Sequence, residues 1–89
     1  MDFEKEIRGF VVENFLYGAT DVHLSGNDSF IERGIIDSTG VLEIVNFIES
    51  KFGITLNDDE LTPENLDSIS RIVRFLIGKI GQERIENIL

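Results

Sequence analysis

Val41, Ile44, Val45, Ile48 and Phe52 fall on one side of a helix at about 100° per residue, and Ile69, Ile72, Val73, Leu76, Ile77 and Ile80 repeat that i, i+3, i+4 stripe. A broader stripe of Phe3, Ile7, Phe10, Val11 and Phe15 precedes both. Three amphipathic helices bury their stripes most simply against one another. The predicted fold class is therefore all-α, with helices over about Phe3 to Tyr17, Ser38 to Phe52 and from Ile69 on. Asp2 and Gly18 are the expected cap and stop of the first, Gly53 the stop of the second, and Asp67 or Ser68 the cap of the last. Thr62-Pro63 predicts a short additional helix around Pro63 to Leu66, because proline suits the first helical position. The two glycines Gly78 and Gly81 weigh against a continuous last helix, so 1–81 is read as one domain and 82–89 as a tail that is helical or frayed.

Eighty-nine residues are enough for one core and too few for a second domain with a cleft between them. Cysteine is absent, which excludes disulfides and thiolate metal sites, so any thiol chemistry has to arrive on an attached group. Seventeen acidic against eight basic side chains give a net charge of −9. That balance disfavours nucleic acid and anionic membrane and favours encounter with basic protein surfaces. No apolar run spans a membrane, and the acidic start lacks a secretory pattern, so a cytoplasmic monomer is expected.

Between the first two long helices, Ala19 to Asp37 has no sustained period and is rich in Asp, Ser, Asn and Gly. Such a long connection in a small domain is usually functional. Within it Ser29-Phe30-Ile31-Glu32 fits a capping box, with Phe30 and Ile31 as anchors into the core and Gly34 ending the turn. Asp21, His23, Ser25, Gly26, Asn27, Ser29 and Glu32 fall on calcium-loop positions. Histidine and serine replace the usual ligands, however, and Asp28 occupies the normally apolar eighth place, so no metal is expected there.

Ser38 follows Asp37 where the second helix begins. A helix start concentrates unpaired N–H groups and positive dipole, which suits a phosphate ester. Asp37 is the expected N-cap. Thr39, Glu43, Asn46 and Ser50 lie opposite the apolar stripe, Leu42 and Phe47 on its flanks and Glu49 near its margin, an acidic outer surface with apolar edges. Asp37, Thr39, Leu42, Glu43, Asn46 and Glu49 are accordingly the candidate partner-recognition residues. His23 is the only histidine and has no motif aligning it with Ser38, so neither a hydrolase triad nor any other catalytic residue is assigned.

Gly34-Ile35-Ile36-Asp37-Ser38 followed by an amphipathic helix resembles the phosphopantetheine attachment motif of acyl carrier proteins. The resemblance extends over nearly the full chain: the long first connection, Phe52-Gly53-Ile54, the acidic Asp58-Asp59-Glu60 turn, and Leu61-Thr62-Pro63-Glu64-Asn65-Leu66-Asp67-Ser68-Ile69. It implies an acyl-carrier-like bundle of three major helices and one short helix, with residues 1–81 as the carrier domain. It further implies a 4′-phosphopantetheine arm on Ser38, attached from coenzyme A by a separate phosphopantetheinyl transferase that Asp37 helps to engage. Acyl or aminoacyl cargo would ride as a thioester to partner enzymes with basic surfaces, and the chain itself would not be an enzyme. Thr39 and Gly40 depart from the Leu and polar residue usual after the modified serine. They point to a changed surface beside the arm and resemble free-standing carriers paired with adenylate-forming ligases. The competing expectation is an unmodified helical interaction module with the same fold. Of the three Asp-Ser pairs, Asp28-Ser29 reads as a cap, and Asp67-Ser68 leaves only one major helix downstream. Asp37-Ser38 alone has the expected context on both sides.

Overall fold

The computed structural model describes residues 2–17 and 23–88, with side chains through residue 81. Four α-helices form: α1 over Phe3–Phe15, α2 over Ser38–Phe52, α3 over Pro63–Leu66 and α4 over Ile69–Ile88. A single 3₁₀ turn, Asp58–Glu60, precedes α3, and no strand occurs among the described residues. This is the all-α, acyl-carrier-like bundle expected, with three long helices and one short one.

The stripes account for the packing. Ile7 and Val11 of α1, Ile44 and Ile48 of α2, and Ile69, Ile72 and Leu76 of α4 are fully buried in one cluster. Four phenylalanines zip α1 to α2 at the edge of that core. Phe10 stacks on Phe47 with centroids 4.2 Å apart, and Phe3 meets Phe52 edge-on at 5.2 Å. The flank position of Phe47 is thus occupied in joining two helices.

Helix ends follow their caps with two differences from expectation, the end of α1 and the continuity of α4. The Asp2 carboxylate accepts the Lys5 N–H, and α1 stops at Phe15, two residues before the predicted end. Tyr17 takes the left-handed conformation at φ 53°, while the predicted stop Gly18 lies outside the described residues. Gly53, at φ 67°, closes α2 where a side chain would be strained. Ser68, rather than Asp67, caps α4, its hydroxyl accepting the Arg71 N–H at 3.1 Å. Finally, α4 runs through Gly78 and Gly81 without a break. Each glycine costs about 1 kcal/mol relative to alanine. Lys79 and Ile80 hold the helix between them, Lys79 by its ion pair to Glu60 and Ile80 by packing on the core.

Two predicted core positions lie on the surface instead. Ile77 falls on the outer side of α4 and is 58% exposed, with Phe75 covering part of the core edge. Ile31 is 52% exposed, so of the pair only Phe30 anchors the turn, its ring completely buried. In a single tight turn two neighbouring side chains point in different directions, and only one of them can enter the core.

Glu60 fastens the 3₁₀ turn to α4. One carboxylate oxygen accepts the Asn57 N–H at 2.8 Å and the Lys79 ammonium at 2.9 Å. Burial pushes the Glu60 carboxyl up, but Asn57 and Lys79 together outweigh it and leave its pKa below the ordinary 4.5. A carboxyl lowered by folding stabilises the fold above its ordinary pKa, and that contribution is lost as pH falls through 4.5 and below. Glu60→Gln should therefore flatten the acid limb of the stability curve, giving a smaller difference between urea midpoints at neutral pH and at about pH 3 than the parent shows.

Candidate functional site

The segment leading to Ser38 is shaped by alternating anchors. Gly34 turns the chain at φ 68°, the Ile35 N–H bonds the Phe30 carbonyl at 2.9 Å, and Ile36 is buried beneath the start of α2. Asp37 then takes an extended conformation and caps the helix, with Oδ1 accepting the Gly40 N–H at 2.7 Å and its carbonyl accepting the Val41 N–H at 3.1 Å. Ser38 follows as the first helical residue and is exposed. Its hydroxyl takes no hydrogen bond among the described residues, because capping is already performed by Asp37.

Ser38 stands on the rim of an apolar groove of about 250 Å³. Val41 and Leu42 of α2 line it together with Leu61, Thr62, Pro63 and Leu66 from the α3 region, Asp67 after it, and Ile31 from the long connection. Leu42 and Ile31, 56% and 52% exposed, are two of the four large apolar side chains on the surface among the described residues, and both line the groove with Ser38. An exposed nucleophilic hydroxyl at a helix start therefore opens directly onto an apolar trough. No imidazole or carboxylate hydrogen-bonds it among the described residues, and the His23 carbonyl accepts from Arg33 in the long connection.

The candidate recognition residues divide by what they already hold. Asp37, Thr39, Leu42, Glu43 and Asn46 are exposed, the latter four along the outward side of α2. Glu49 is half-buried, and its carboxylate accepts the Leu56 N–H at 2.9 Å, tying the chain after α2 back to the helix. Gly40 is not on the surface at all. A Cβ there would lie 2.9 Å from both Ile36 Cγ2 and Phe15 Cε1, so its smallness lets the end of α1 approach α2 closely. Of the two unusual residues after Ser38, only Thr39 alters the surface.

In the long connection the Asp28 carboxylate accepts the Ser25 N–H at 2.9 Å and the Arg33 guanidinium at 2.7 Å. The Ser25 N–H, with Arg33 adding to it against burial, holds the Asp28 carboxyl below the usual range. Asp21, the first calcium-loop position, lies outside the described residues. The Ser29 hydroxyl accepts the Glu32 N–H at 3.1 Å, as a cap should, and also donates to Asp67. That second bond, like the part played by Ile31 in the groove, has no local signature, since Ser29 and Asp67 are 38 positions apart.

Ser38 thus stands exposed at the first position of a long helix, beside an apolar groove in a small acidic bundle. The chain is 27% identical over 73 residues to the D-alanyl carrier protein of Streptococcus suis (strain 05ZYH33), covering 82% of this chain and 89% of that one, and equally to its counterpart in strain 98HAH33. In fold it is similar to a chain of a solved structure described as "Crystal structure of FAD-dependent dehydrogenase". The TM-score is 0.68 at 24% identity, with 79% of this chain and 97% of that chain aligned, a likeness that bears on fold alone. No protein-family model matches the chain.

Proposed function

We propose that this protein carries acyl or aminoacyl cargo as a thioester on a 4′-phosphopantetheine arm attached to Ser38, and hands it between partner enzymes. The observation that carries the reading is the Ser38 hydroxyl itself: exposed, unbonded, at the start of a 15-residue helix and on the rim of an apolar groove. The surroundings fit the arm. The Ser38 and Thr39 N–H groups take no partner among the described residues, so donors and helix dipole face a phosphodiester on Ser38 Oγ. The chain has no cysteine, and the arm would supply the thiol.

Attachment forms a bond from Ser38 Oγ to the phosphorus of coenzyme A nearest the pantetheine. It breaks the pyrophosphate link and releases adenosine 3′,5′-bisphosphate. The hydroxyl proton goes to a base of the transferase, because no carboxylate or imidazole hydrogen-bonds Ser38 among the described residues. Asp37, Thr39, Leu42, Glu43 and Asn46 would meet the transferase and the cargo enzymes. Glu49 would contribute charge at the margin while holding Leu56. Rim charges of this kind raise encounter rates while leaving release fast, as a shuttle requires. The reading calls for a loading ligase among the partners, and the curated relatives' name makes D-alanine one cargo to assay.

Intact-mass measurement after co-expression with a broad-specificity phosphopantetheinyl transferase tests the reading. A gain of one phosphopantetheine supports it, whereas no gain leaves the fold as an unmodified interaction module. Asp37→Asn separates the two duties of that residue. Asparagine caps about as well as aspartate, so the melting midpoint should hold while the modification rate falls. Equal loss of both would count against recognition by the carboxylate.

A further inference from the structure

The groove beside Ser38 draws its walls from three parts of the chain, and two of them stand on helices or on segments packed into the core. The third, Ile31, stands on the turn at 29–34, which is hydrogen-bonded to Asp67, the residue that follows α3. Asp67 accepts the Phe30 N–H on its main-chain carbonyl at 2.8 Å, the Ile31 N–H on Oδ1 at 3.1 Å, and the Ser29 hydroxyl on Oδ2. The same hydroxyl accepts the Glu32 N–H, so it closes the turn and ties it to Asp67 at once.

Neither core packing nor capping requires this arrangement. Phe30 by itself anchors the turn in the core, and Ile31 is half in solvent. Ser68 caps α4, leaving the Asp67 carboxylate free of that task. What the carboxylate does fix is the backbone of Ile31, which lines the same groove as Leu42, Leu66 and Ser38. Charge-assisted hydrogen bonds to one planar acceptor hold a short turn more tightly than its own backbone bonds would.

We propose that Asp67 is a positioning residue of the Ser38 groove: by gripping Ser29 and Ile31 it sets Ile31 in the groove's lining, and so governs how well an apolar group carried on Ser38 is shielded from water. The shielding rests on the carrier reading above; the grip on Ile31 does not.

Two measurements test these parts separately. In the unmodified protein, Asp67→Ala should speed hydrogen exchange of the Ile31 amide by about tenfold or more while the core amides of Ile44 and Ile48 keep their rates. Asp67→Asn, which keeps an acceptor for Ile31, should stay within about threefold of the parent. Unchanged Ile31 exchange in Asp67→Ala overturns the grip, whether or not Ser38 is ever modified.

For shielding, the protein is loaded from octanoyl- and acetyl-coenzyme A by a phosphopantetheinyl transferase and its thioesters are cleaved with hydroxylamine. The parent should lose octanoyl several-fold more slowly than acetyl. Ile31→Ala and Asp67→Ala should each erase most of that ratio, the double variant no more than either, and Asp67→Asn should restore it, all at an unchanged acetyl rate. A ratio that survives in both alanine variants overturns the positioning role. Failure of the parent to accept either group refutes the carrier reading instead, and the exchange result still decides the grip.

Discussion

Ser38→Ala is expected to fold as the parent does and to gain no mass when co-expressed with a phosphopantetheinyl transferase. The hydroxyl makes no hydrogen bond among the described residues, the cap belongs to Asp37, and alanine is well suited to a helical position, so stability should change by no more than about 0.5 kcal/mol. The other two Asp-Ser pairs offer no substitute. The Ser29 hydroxyl is engaged with Glu32 and Asp67, and Ser68 is 2% exposed with its hydroxyl on the Arg71 N–H. Accessibility thus selects the same serine that the context of the motif selects. Mass spectrometry of the intact variant reads the outcome directly, with a urea melt as the folding control. Residual modification of a well-folded Ser38→Ala protein would place the arm elsewhere and sink the assignment.

What could be read from the residues was what repeats or what acts locally. The bounds of α2, its Asp37 cap and its Gly53 stop follow from periodicity and from two residues with strong positional preferences. The α3 start at Pro63 is of the same kind. The exposure of Ser38 and of the outward residues of α2 was legible, because they belong to one helix whose faces can be counted. The groove was not. Its walls come from residues 31, 41–42, 61–63 and 66–67, and nothing at Ile31 distinguishes a side chain entering the core from one lining a trough. Asp67 hid in the same way, since an aspartate before a serine at a helix start reads as a cap until its partners 36 to 38 positions away are known. Continuity of α4 through two glycines was also decided at a distance, by Glu60 reaching Lys79 across the bundle.

Gly40→Leu is expected to destabilise the protein by about 3 kcal/mol or more and to slow modification of Ser38, although Gly40 faces inward and meets no partner. A Cβ at this position would come within 2.9 Å of Ile36 Cγ2 and Phe15 Cε1, and within 3.4 Å of Asp37 Oδ1. Ile36 is 3% exposed and its Cγ2 branches directly from Cβ, so it cannot swing aside without moving the backbone that delivers Asp37 and Ser38. Alanine isolates the first step of this conflict. It gains about 1 kcal/mol of helix propensity over glycine, against an overpacking cost of about 1–3 kcal/mol, so Gly40→Ala should be destabilised slightly and Gly40→Leu severely. Thr39→Leu is the matched comparison, an exposed residue on the same turn whose replacement should alter stability by less than about 0.5 kcal/mol. Urea unfolding and the rate of phosphopantetheine transfer, measured on all three, separate packing from surface recognition. A Gly40→Leu protein as stable and as readily modified as the parent would show that α1 does not press on α2 at this point. If instead Gly40→Leu fails in both measurements while Thr39→Leu changes only the transfer rate, the two unusual residues after Ser38 have different causes: one admits the α1 terminus, and the other faces the enzymes.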